Sequence, residues 1–132
     1  PKQWTGADRK LAADVTAALV QLVARVSPGA KKGSTAPYAY SSLTLVEAGS
    51  AQPRTLANAF LKPVSVSAGS DLLSGAYNAL VSYVTDVDEV FGLNNRRALA
   101  AIGPKERLSA LAKSDTLEAA ARFAAGAILE HG

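Results

Sequence analysis

Leu11, Val15, Leu19, Leu22, Val23 and Val26 recur at helical intervals, and Arg9, Lys10, Asp14, Gln21 and Arg25 fall off that stripe. The pattern predicts an amphipathic helix over about 7–26, whose apolar stripe would ordinarily face a core. Thr5-Gly6-Ala7-Asp8 has the spacing of a capping box, and Ser27-Pro28-Gly29 stops the helix. Everything else in the chain has to pack around this element.

What packs around it is small. Alanine fills 27 of the 132 positions, against 16 leucines, three Phe, four Tyr and one Trp. Alanine is the best helix former and lets helices approach closely, but its methyl buries little area. A thin core of this kind suggests association between subunits. The expected fold is mainly α, a single compact domain over 1–132 with five or six helices and a small extended element in the middle third.

Residues 27–37 hold two Pro, two Gly and two Lys with no bulky apolar side chain, and read as an exposed basic loop. Residues 38–68 read as a mixed strand and helix segment. Tyr/Ser and Leu/Thr/Leu alternation favours a strand over Tyr38–Ala48, although Ser42 as a cap and Gly49 as a stop would also suit a short helix. Pro53 opens a short helix through Lys62, and Val64-Ser65-Val66-Ser67 is extended. The two extended pieces would pair.

Ser70 or Asp71 caps the next helix, in which Leu73, Tyr77, Leu80, Val84, Val87 and Phe91 keep helical period until Gly92. Its β-branched second half would also suit a strand. Asn94 or Asn95 then starts a helix through Ile102, Gly103-Pro104 breaks it, and Lys105–Lys113 continues. Ser114 or Asp115, with Glu118 in register, caps a last helix to about residue 130.

Several chemistries are excluded by residue type. The chain has no cysteine, hence no disulfide, thiol nucleophile or Cys-ligated metal. His131 is the sole histidine, which removes His-based triads and multi-His metal sites. Asp86-Val87-Asp88-Glu89 lacks the alternate ligands and the glycine of a calcium loop, so no metal is assigned. Phosphate-loop, nucleophile-elbow and dinucleotide patterns are missing. No catalytic residue, cofactor or enzymatic activity is expected. Nothing approaches a membrane span or a secretory signal, so the expected location is the cytoplasm or the interior of a virion.

Charge is segregated instead. Residues 1–62 carry +5, residues 63–92 carry −4 and residues 93–132 carry +2. Such a layout suits an anionic partner, or complementary faces of identical subunits. Lys31 and Lys32 can neutralise phosphates, and Tyr38 and Tyr40 offer flat faces on which unpaired bases stack. Arg25, Arg54 and Lys62 would extend that patch if the middle third folds back, and Arg96 with Arg97 at a helix start forms a second basic corner.

The run from the first helix through Lys31-Lys32-Gly33, Tyr38-Ala39-Tyr40-Ser41-Ser42-Leu43, Pro53 and Leu56 resembles the start of Erf-type single-strand annealing proteins, over about residues 15–66. That resemblance implies single-stranded DNA binding by a ring-shaped oligomer. The strand-rich region that follows in that family is replaced here by Ala-rich helices, and no residues carry over. Pro1 resembles the catalytic proline of the tautomerase superfamily, but the polar Lys2-Gln3-Trp4-Thr5 that follows is not that family's first strand.

The function expected from these residues is a non-enzymatic, nucleic-acid-associated, self-assembling structural protein of the coat, packaging or strand-coating type. Its partners would be nucleic acid, single-stranded before duplex, and further copies of itself, with no membrane. The alternative is a helical protein–protein adaptor that uses the acidic helix end at Asp86–Glu89.

Overall fold

A computed structural model describes residues 8–26, 39–65 and 71–131. In chain order the elements are helix α1 (Arg9–Arg25), strand β1 (Leu43–Ala48), a 3-10 turn (Ala57–Phe60), helix α2 (Leu72–Phe91), strand β2 (Arg96–Ala101), a second 3-10 turn (Glu106–Ala110) and helix α3 (Leu117–His131). The described residues thus hold three α-helices and one two-stranded antiparallel sheet, not five or six helices. Among them no helix is long and apolar enough to cross a membrane.

The three helices form where periodicity places them. Asp8 caps α1, its Oδ1 accepting the Leu11 N–H at 2.8 Å; Thr5 lies outside the described residues. Asp71 caps α2 by accepting the Ser74 N–H at 2.6 Å. Gly92 ends α2 in the left-handed region, with φ of 60°, a conformation that a side chain would resist. The β-branched second half of α2 remains helical. At α3 the cap is Thr116 rather than Ser114 or Asp115, its hydroxyl accepting the Ala119 N–H at 3.1 Å.

Three expected helices do not form as α-helices. Within 94–102, Arg96–Ala101 forms β2, because pairing with β1 outweighs the helix propensity of Arg, Ala and Leu. The pairing runs Leu43↔Ala101, Leu45↔Leu99 and Glu47↔Arg97, with Thr44, Val46 and Ala48 opposite Ala100, Ala98 and Arg96. β1 therefore forms as a strand, and its partner is β2; Val64 and Ser65 belong to no strand, and Val66 and Ser67 lie outside the described residues. Pro53–Lys62 and Lys105–Lys113 shrink to the two 3-10 turns. Each of those stretches is too short to nucleate a stable α-helix without strong packing.

The sheet is the middle layer. Leu43, Leu45, Leu99 and Ala101 share one face and pack with Tyr77 and Val81 of α2, joined by Leu108, Leu73, Leu111 and Ala112. Leu99, Leu108 and Val84 are the largest fully buried side chains. The Tyr77 hydroxyl lies 2.7 Å from the Ser42 carbonyl and 2.8 Å from that of Ile102, closing the end of the ladder. Burial pushes the phenol pKa up, so it stays a donor.

On the other face lie α1 and α3. They run antiparallel: Ala24 borders the same cavity as Leu117, while Thr16 and Val20 border one with Ala124 and Ile128. Their contact is made of small residues, with Ala13, Ala24, Ala120, Ala121 and Ala124 all buried. The aliphatic stripe that predicted α1 points the other way. Leu11, Val15, Leu19, Leu22, Val23 and Val26 are 48–75% exposed.

Candidate functional site

Two constellations collect three of the seven basic residues singled out by sequence, Arg54 and Arg97 in one and Arg25 in the other, and they differ in character. The first is internal. Tyr77, Val81, Val84 and Asp88 follow one another at helical steps on the sheet-facing side of α2, so the apolar stripe ends in a carboxylate. On the sheet, the strand alternation that points Leu45 and Leu99 at α2 points Glu47 and Arg97 there too.

Arg54, from the loop after β1, completes the group. It donates to Glu47 from Nε at 3.1 Å and from Nη2 at 2.9 Å, and Nη2 also reaches Asp88 Oδ1 at 3.0 Å. Arg97 donates from Nε to Glu47 Oε1 at 2.7 Å and from Nη2 to Asp88 Oδ2. Two acids and two arginines balance to zero, with side chains only 10–19% exposed. The Nη1 of Arg54 is buried with no hydrogen-bond partner.

Burial by itself would push the Glu47 carboxyl up, but the hydrogen bonds from Arg54 and Arg97 outweigh it and hold the group below the usual 4.5. The Arg54 guanidinium is held above its ordinary value by the Glu47 hydrogen bond, against the effect of burial. A carboxyl more acidic folded than unfolded contributes stability that is complete above its unfolded pKa and lost as pH falls through the folded one. Urea midpoints should therefore be flat from neutral pH down to about 5 and drop below about 4.5, and Glu47→Gln should remove part of that drop. An unaltered acid limb in that variant would show that Glu47 is not responsible.

The second constellation is a surface cavity of about 370 Å³ between the end of α1, the start of β1 and the start of α3. Arg25 and Tyr40 both border it, with Ser41, Thr44, Thr116 and the apolar Ile102. Ser41 N–H donates to the Ala24 carbonyl at 2.9 Å, which ties the start of the β1 segment to the last turn of α1. Both ends of the 27–38 connection therefore meet at this rim. Tyr40 is 76% exposed. Arg25 donates from Nε to Gln21 Oε1 at 3.0 Å, and no ion pair among the described residues neutralises it. Asp115 also borders the cavity, and its Oδ1 accepts the Thr116 N–H at 2.7 Å.

The remaining sites separate. Lys31, Lys32 and Tyr38 lie outside the described residues. Lys62 borders a different, open groove with Tyr83 and Asp86. Arg96 and Arg97 do not form one corner, because a strand sends neighbours to opposite faces. Arg96 pairs with Glu130 at 2.7 Å and lies 5.7 Å over the Phe123 ring of α3. Sequence reasoning missed Glu47 as the hub of the ionic group. Its signal was present, a lone acid in an alternating segment, but its partners follow only from the β1–β2 register. No group of three or more His, Asp or Glu among the described residues is placed to hold a metal ion.

No curated protein matches the chain. Residues 2–125 do match a family, Cas_CT1975, described as CT1975-like protein. Since that match spans nearly the whole sequence, the chain belongs to the CT1975-like protein family.

Proposed function

We propose that the protein is a non-enzymatic, nucleic-acid-associated, self-assembling subunit that contacts a single strand at the Arg25–Tyr40 cavity. The observation that carries this reading is the convergence of an arginine without an ion-pair partner among the described residues and a largely exposed tyrosine ring on one cavity. The cavity is of a size that ordinary small-ligand sites have. The connection bearing Lys31, Lys32 and Tyr38 leaves and re-enters the fold at the same rim. Stacking on tyrosine and neutralisation by lysine are the two sequence-tolerant sources of single-strand affinity. Arg54 and Arg97 have no part in this contact, being matched by Glu47 and Asp88.

The test is anisotropy of a short labelled single-stranded oligonucleotide across a salt series. Tyr40→Ala with Arg25→Ala should weaken binding about tenfold or more, since stacking alone is worth about 1–3 kcal/mol per base. Lys31→Ala with Lys32→Ala should weaken all sequences alike and flatten the log–log salt slope by about 1.4. Unchanged affinity of both variants at low salt sinks the assignment.

The adaptor reading has its own support in Val90 and Phe91, 75% and 71% exposed beside Asp86 and Glu89. Asp88, however, is committed to Arg54 and Arg97. A chain that ignores oligonucleotides at every salt concentration but binds one protein would favour the adaptor.

A further inference from the structure

The stretch between β1 and the first 3-10 turn is held at few points. Residues 49–53 are all exposed and make no hydrogen bond among the described residues. On one side the β1 ladder ends at Ala48, paired with Arg96. On the other, the Thr55 hydroxyl accepts the Ala57 N–H at 3.2 Å and the Leu56 carbonyl accepts the Ala59 N–H at 3.0 Å. Between those ends the stretch is fastened by Arg54, through Glu47 and Asp88.

The same stretch walls a cavity. About 400 Å³ of space lies between it, β1 and the α1–α3 pair, floored by Val20, Val46, Ala124, Ala127 and Ile128. Gly49, Ala51, Gln52 and Pro53 supply the exposed side. The cavity lies on the α1–α3 face of the sheet, whereas Glu47 and Asp88 meet on the α2 face. The segment thus covers one face and is tied down on the other. Its first residue has to be glycine, because a Cβ at Gly49 would overlap the Asn95 side chain that lies against it.

We infer that residues 49–53 are a strap that opens and closes over this cavity, with Arg54 as its latch. The latch is reversible because Arg97 bridges Glu47 and Asp88 independently, so both carboxylates keep a cation when Arg54 withdraws. Arg54 Nη1 is buried without a partner while the strap is closed. A buried donor of that kind raises the free energy of the closed state, and water relieves it in the open one. Opening also gives up little apolar burial, since Ala51 and Pro53 are already exposed; segments with few buried contacts are the ones that open locally. Neither Arg25 nor Tyr40 borders this cavity, so the inference stands apart from the strand contact proposed above.

Because the chain has no cysteine, a single cysteine reports access. Val46→Cys places a thiol in the cavity floor, and Val81→Cys places one in the core on the other face of the sheet. With Arg54 in place, both should react with iodoacetamide far more slowly than in the urea-unfolded chain. Adding Arg54→Met should speed the reaction at Val46→Cys about tenfold or more, the scale of one lost hydrogen bond to a charged group, and leave Val81→Cys slow. Arg54→Lys keeps the charge without the guanidinium fork and should give a smaller rise. An unchanged rate at Val46→Cys in Arg54→Met would overturn the latch. An equal rise at Val81→Cys in both Arg54 variants would replace local opening with general unfolding. A Val46→Cys that reacts as fast in the folded chain as in urea would show that the strap never closes.

Discussion

Leu99→Ala is expected to lower the unfolding free energy by about 2–5 kcal/mol, the cost of a large-to-small change at a site that cannot collapse. Leu99 is 1% exposed, stands opposite Leu45 on the sheet and packs against Tyr77 and Val81 of α2. Its carbonyl also accepts the Asp115 N–H at 2.9 Å, which ties the approach to α3 onto the edge of β2. One side chain thus anchors the sheet to the helix on one face while its backbone steers the helix on the other. Urea denaturation read by circular dichroism checks the value. A loss under about 1 kcal/mol would mean that this face is loosely packed.

The second large effect is ionic. Arg97→Leu leaves Glu47 and Asp88 sharing Arg54 alone, two mostly buried carboxylates on one guanidinium. The expected loss is about 2–4 kcal/mol, toward the lower side of what breaking a buried pair costs, because these groups keep some contact with water. Arg97→Leu combined with Glu47→Leu should lose less than Arg97→Leu alone, since Arg54 and Asp88 then remain as a balanced pair. A double variant no more stable than the single one would show that the arginine's packing, and not its charge, is what matters.

How much of this was legible in the sequence depends on which interactions decide each element. The three helices were readable because their signals are local: the Asp8 and Asp71 caps, the Gly92 stop and stripes of period 3.6. β2 was not, because nothing within Arg96–Ala101 prefers a strand to a helix. Its conformation is decided by β1, some fifty residues earlier.

The same dependence hid the ionic group. Arg54 and Arg97 look like free cations until the register places Glu47 between them. Arg25 and Tyr40 were named from residue type alone, and the Ser41–Ala24 hydrogen bond is what brings them to one rim. The orientation of α1 was the least legible feature. Amphipathicity identifies a helix with two unlike faces, and here the face turned inward is the one made of alanine.

That orientation changes what kind of variation the helix pair tolerates. Between α1 and α3 the limiting property is size, since Ala13, Ala24, Ala120, Ala121 and Ala124 are all buried and small residues at a contact favour the close end of the general range of helix spacings, about 8 Å. At Ala13, Ala120 and Ala121, which border neither of the two cavities beside this helix pair, an added methylene must displace its neighbours. Oiliness counts for little at those positions, and glycine or serine would serve the geometry better than valine. On the outer side the constraint reverses: bulk is free to change as far as this subunit's own folding is concerned. Any restriction on Leu19 or Leu22 across related chains would therefore record a demand imposed from outside the molecule.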